Sequence, residues 1–211
     1  MTDIQRISPV AFKAIALEEE NRDNWNVVLK YKEEGEGTHI VDLSHRPRFD
    51  CQSSDLAGVK PFGIDLPDRP GQSVLEKGVL ANRMNRTQVS LFNLAGDDTI
   101  TLPEETFYTD VTEATLCIAI IGKAVFSICE KLTALDFEDP AKQVPFLYQG
   151  PFSHVPCQII TLNRDKDNSG IILTCSRGYG RDMTHAILDA GEEFSLKPAG
   201  ENYFTGWINS L

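Results

Sequence analysis

Hydrophobic residues change period several times along this chain, and each change predicts an element. Residues 116–121 form an unbroken apolar run ended by Gly122, the pattern of a strand buried on both faces. Residues 123–134 then place Val125, Ile128 and Leu132 on one side at helical spacing. Residues 136–151 carry three prolines and read as a loop. Two β-type runs, 155–162 and 171–175, flank the polar stretch 163–170 and predict a hairpin. After the bend Gly178-Tyr179-Gly180, a helix is expected in which Met183, Ala186, Ile187, Ala190 and Phe194 share a face, with Asp182 placed to cap it.

The first half is patterned more loosely. Residues 11–20 predict a short helix, and residues 53–56 the start of another. Trp25, Val27, Leu29 and Tyr31 alternate with polar positions, as in a half-buried strand. A glycine-rich turn at 34–37 leads to a second strand at 38–43. Residues 58–78, with Pro61, Gly63, Pro67, Pro70 and Gly71, read as irregular. Val89, Leu91 and Phe92 mark a strand, and 99–102 a short one after Gly96-Asp97-Asp98. The order of elements predicts an α+β fold with antiparallel sheets. It divides into an N-terminal α+β half, 1–107, and a C-terminal βαββα half, 108–211, with an aromatic tail. That tail (Tyr203, Phe204, Trp207) either tucks back onto the core or docks a partner.

Charge and composition narrow the class. A chain of 211 residues can bury a sizeable core, and its net charge of −11 argues against nucleic acid. The acidic clusters at 18–20, 33–36 and 136–139 read as solvated faces. Five cysteines, an odd number without CxxC spacing, read as unbridged thiols in a reducing compartment. Cys117, Cys157 and Cys175 lie in apolar strand-like runs, where a thiol serves as a small hydrophobe. No run approaches the about twenty apolar residues of a membrane span, and the first fifteen residues lack a secretory pattern. The expected location is cytoplasmic, with no membrane partner.

Candidate chemistry is sparse. The Gly178/Gly180 bend lacks the third glycine of a dinucleotide loop, since Met183 stands there, and reads as a tight turn. The run Asp165 to Gly170 imitates the opening of a calcium loop, yet Ser176 occupies the twelfth position where glutamate is needed. It reads as a hairpin turn. His39, His45, His154 and His185 show no metal-ligand spacing. Asp97 and Asp98 are a carboxylate pair in a turn that can position or protonate a ligand nitrogen; an exposed hairpin turn is the alternative.

Three stretches resemble the glycine-cleavage T-proteins (aminomethyltransferases). Val41-Asp42-Leu43-Ser44-His45-Arg46 is similar to their D-x-S-H segment, and the run Arg83 to Phe92 to the stretch before their active-site turn. Thr109-Asp110-Val111-Thr112, with the apolar strand and helix after it, resembles their next strand and helix. In length and layout the chain most resembles the gamma subunit of heterotetrameric sarcosine oxidase, a short member of this T-protein-like group. The resemblance covers about residues 38 to 195.

It implies a folate-binding-type α+β fold with βαββα-type units and a place in one-carbon or methylamine metabolism. Tetrahydrofolate would be the cofactor, and Asp97 and Asp98 the catalytic candidates. The aspartate turn is cut to Ala95-Gly96-Asp97-Asp98, and the chain stops where T-proteins continue. These departures imply instead an accessory, non-catalytic subunit that binds no cofactor and packs on larger oxidoreductase subunits. The alternatives are an independent tetrahydrofolate-dependent aminomethyltransferase-like or folate-binding protein, and a stand-alone binding domain of the same fold.

Overall fold

The computed structural model describes residues 4–96 and 100–211. Its strands are β1 (Ala16–Arg22), β2 (Trp25–Tyr31), β3 (His39–Asp42), β4 (Arg48–Gln52), β5 (Ser73–Glu76), β6 (Val79–Arg83) and β7 (Gln88–Asn93). They continue as β8 (Tyr108–Asp110), β9 (Thr115–Ile121), β10 (Phe146–Phe152), β11 (Val155–Asn163), β12 (Gly170–Ser176) and β13 (Lys197–Ala199). The helices are α1 (Val125–Glu130), α2 (Gly180–Gly191) and α3 (Glu201–Ile208).

A six-stranded sheet of order β10-β11-β12-β9-β3-β13 is antiparallel except for the parallel pair β13–β3. A five-stranded antiparallel sheet has the order β5-β6-β7-β4-β8, and β1 and β2 form a separate ribbon. Both large sheets draw strands from either side of position 107. β3 lies between β9 and β13, and β8 pairs with β4.

The apolar run at β9 explains its central place. Leu116, Ile118 and Ile120 enter a core shared with α1 and α2, while Cys117, Ala119 and Ile121 enter a second core shared with α3. A strand buried on both faces needs no alternation of polarity. A third core, built on Phe49, Cys51, Leu56, Val89 and Leu91, lies on the five-stranded sheet. All five cysteines are buried and unbridged. Among the described residues no helix is long and apolar enough to cross a membrane.

Several expectations are corrected. Residues 11–20 hold no helix; 16–20 belong to β1, whose side chains from Leu17 to Asn21 are all exposed. No helix starts at 53–56, where Ser53 and Asp55 close local turns through their side chains. The irregular stretch contains β5 and a short 3₁₀ turn, and the loop at 136–151 ends in β10. β10 is an edge strand, which is where Pro151 can sit without costing a ladder bond. The helix expected over 123–134 is confined to α1. Asp182 lies in the first turn of α2 and makes no capping bond; Tyr179 occupies the cap position. Of the short strand at 99–102, Thr99 lies outside the described residues, and 100–102 have no regular structure. The aromatic tail is core: Phe204 and Trp207 are buried on α3, and Trp207 Nε1 donates to the Asn168 carbonyl at 3.1 Å.

Candidate functional site

The segment between β3 and β4 carries the chain from one large sheet to the other, and it builds the site. Asp42 accepts the Ser44 amide at 2.9 Å and the Ser8 hydroxyl at 2.5 Å, which turns the chain. Ser44 Oγ donates to the Cys117 carbonyl at 3.3 Å and accepts the Cys117 amide at 3.2 Å, pinning that turn on β9. Arg48 is fully buried and faces oxygens: the carbonyls of Leu43, Ser44, Arg46, Thr112 and Thr115 and the Thr115 hydroxyl, at 2.5–3.2 Å. Its guanidinium holds the crossover in shape, because a fork of donors can satisfy carbonyls that no sheet ladder reaches.

The crossover delivers His45 and Arg46 to the first residue of α3. Glu201 Oε1 accepts His45 Nε2 at 2.7 Å and Arg46 Nε at 2.9 Å, and both its oxygens accept Arg22 Nη1, at 3.1 and 3.0 Å. Arg46 also donates to the Leu94 carbonyl and to Thr205 Oγ1, and lies over the Phe204 ring at 4.9 Å. Burial alone would raise the Glu201 pKa. The His45 hydrogen bond and the charges of His45, Arg46 and Arg22 outweigh it and hold the carboxyl at about 2. Burial lowers the Arg46 pKa, and the Glu201 charge opposes that.

This knot forms one wall of a cavity of about 700 Å³. Arg22, His45 and Arg46 line it with Trp25, Phe49 and Leu102. At the rim Arg6 pairs with Asp23 and, at 3.0 Å, with Glu113. The cavity can receive a ligand of moderate size with an apolar body and a polar end, the mixture common to small-molecule sites. Gly96 and Ile100 line it as well. Gly96 has φ +69°, and a side chain there would begin 3.6 Å from the Arg46 guanidinium carbon, so a left-handed glycine lets the backbone at this position lie against Arg46. The candidate residues Asp97 and Asp98 lie outside the described residues.

The four histidines serve separate local roles. His39 is buried against the Tyr203 ring at 4.3 Å, and His154 has φ +66° in the turn between β10 and β11. His185 pairs with Asp189 on the surface of α2, and only His45 reaches the cavity. Among the described residues no three His, Cys, Asp or Glu side chains cluster as metal ligands. Gly180 is needed for close packing, since a Cβ there would meet Pro9 at 2.5 Å. Residues 165–169 lie in the turn between β11 and β12, and Gly170 opens β12. Glu201 is the residue that sequence reasoning missed. Its partners Arg22, His45 and Arg46 were not read as site residues either, although His45 and Arg46 lie in the segment that resembles the T-proteins.

No protein-family model matches the chain, and no curated protein matches it in sequence. Among solved structures the architecture does recur, so the class defined is an α+β fold with antiparallel sheets. One similar structure is a chain of the heterotetrameric sarcosine oxidase from Corynebacterium sp. U-96, solved in complex with pyrrole 2-carboxylate. It has a TM-score of 0.60 and 15% sequence identity, over 75% of this chain and 85% of that one. At that identity the likeness establishes the fold, and function must be argued from the site.

Proposed function

We propose that the chain is an accessory, non-catalytic subunit of a cytoplasmic oxidoreductase complex of the sarcosine oxidase type, acting in one-carbon or methylamine metabolism. The observation that carries this reading is the fold shared across most of both chains with a member of a heterotetramer. The cavity chemistry supports it. Arg22, His45 and Arg46 all bind Glu201, and Arg6 is held by Asp23 and Glu113, so these charges fasten the fold before they meet any ligand. The surface supports it too. Ile4, Ile7 and Ile15 precede the β1–β2 ribbon, Leu17 lies in β1, and all four are exposed. The outer edge of β1 pairs with no strand among the described residues. Exposed apolar side chains beside an open strand edge suit a subunit with a larger partner.

The test is native mass spectrometry, with a visible spectrum, on the protein gently isolated from its own cells. Co-isolation of larger subunits carrying flavin absorbance is the expected result. A bare chain or a homo-oligomer would overturn the proposal.

The cavity favours a second reading, a tetrahydrofolate-binding or aminomethyltransferase-like protein of the T-protein group. In this reading the apolar wall of Trp25 and Phe49 takes the flat ring system, and Asp97 and Asp98, which follow Gly96 in sequence, supply the catalytic carboxylates. Saturable binding of tetrahydrofolate to the isolated chain, with transfer activity removed by Asp97→Ala, would support it. Absence of binding would remove it.

A further inference from the structure

Two of the five cysteines face each other across adjacent strands. β11 and β12 pair with Gln158 opposite Thr174, and one further step of that register sets Cys157 opposite Cys175. Gly150 on β10 is opposite Cys157, and Leu116 on β9 is opposite Cys175. The four residues thus form a row across four strands, and Cys157, Cys175 and Leu116 belong to the core shared with α1 and α2. The Cys157 thiol donates to the Val155 carbonyl at 3.3 Å and the Cys175 thiol to the Ser176 carbonyl at 3.6 Å. Directly opposed residues of an antiparallel pair have Cα atoms about 4.5–5.5 Å apart, within the roughly 4.4–6.8 Å that a disulfide spans. The pair lies toward the end of the sheet, beside exposed Pro156 and Ser176, and the cysteines retain 6% and 5% exposure. Cys117 and Cys51 are on another face and another sheet, and Cys129 is on α1.

We infer that Cys157 and Cys175 form a peroxide-responsive dithiol, a modification site that closes to a cross-strand disulfide. The neighbouring Cys157 thiol lowers the pKa of Cys175, and the same pairing raises that of Cys157. Cys175 is therefore the first nucleophile, since the thiolate is the reactive form. Its sulfur attacks one oxygen of hydrogen peroxide, and the O–O bond breaks. A sulfenic acid forms, and the departing hydroxide takes up the Cys175 proton to leave as water. The Cys157 sulfur then attacks the sulfenic sulfur. The S–S bond forms, the S–O bond breaks, and the second water departs with the Cys157 proton. The sulfur pair loses two electrons and the peroxide gains two.

The experiment treats the full chain with hydrogen peroxide and follows it by intact-mass and non-reducing peptide mass spectrometry. The expected product has lost two hydrogens, links the Cys157 peptide to the Cys175 peptide, and reverts with dithiothreitol. In Cys157→Ser, Cys175 should remain as a sulfenic acid that dimedone captures. Phenylarsine oxide, which needs two neighbouring thiols and no oxidant, should bind the untreated chain one-to-one and fail to bind the variant. Two unchanged thiols after peroxide, separate sulfinic acids at both positions, a link to another cysteine, or no arsenical binding would each overturn the inference.

Discussion

The Glu201 carboxylate accepts the Arg46 Nε proton at 2.9 Å, joining residues 155 positions apart. The bond ties α3 to the crossover between the two large sheets. Glu201→Gln keeps the shape and removes the charge, leaving Arg46 buried without its counter-ion. Breaking a buried pair from one side costs about 3–5 kcal/mol. Urea unfolding of the variant should show a loss of that order. A loss below about 1 kcal/mol, the worth of a surface pair, would mean that the knot does not fasten the fold.

The same carboxylate sets an acid limit. Its pKa falls from an ordinary 4.5 to about 2 in the folded chain, so the folded state binds this proton more weakly than the unfolded state does. The stabilisation is fully present above about pH 4.5 and is lost as pH falls through about 2, a contribution of about 3 kcal/mol. Urea midpoints measured from pH 6 down to pH 3 should fall steeply for the native chain and less steeply for Glu201→Gln. Parallel curves would assign the acid sensitivity to other groups.

What the sequence disclosed, and what it hid, follows from the range of the interactions. The strands of the β11–β12 hairpin and β9 were legible because their burial is written in local apolar runs. β1 was not, because Ala, Leu and Glu are good helix formers and backbone pairing with β2 overrides them. β4 begins with a buried arginine, Arg48, which no hydrophobic pattern would place inside. The site was legible only as a stretch of chain, with no role assigned to its residues. His45 and Arg46 belong to a local segment, whereas Glu201 is an ordinary first-turn glutamate until the fold brings it to Arg22 and Arg46. The facing of Cys157 and Cys175 is a matter of register, which a list of cysteine spacings does not contain.

The C-terminal helix is a fastener of the core. A Cβ on Gly170 would lie 2.1 Å from the Trp207 ring, so β12 gives up a side chain to admit the indole. Trp207→Ala should cost about 3–5 kcal/mol, the usual loss for a buried aromatic. Gly170→Ala should also destabilise, by overpacking. Thermal unfolding of both variants checks this, and an unchanged midpoint for Trp207→Ala would place the indole on the surface.

If β1 docks a larger subunit, its exposed apolar residues should matter for assembly and not for folding. Ile15 and Leu17 are 70% and 57% exposed, so Ile15→Glu with Leu17→Glu should shift stability by no more than about 0.5 kcal/mol per site. Assembly with that larger subunit should be lost. A second copy of this chain is a poor occupant, because pairing two β1 edges would align Glu18, Glu19 and Glu20 with their own counterparts, and like charges across a ladder destabilise it. The partner strand should therefore carry lysine or arginine opposite these glutamates, and high salt should weaken the complex. Co-isolation of the double variant with its partners at wild-type yield would remove β1 from the interface.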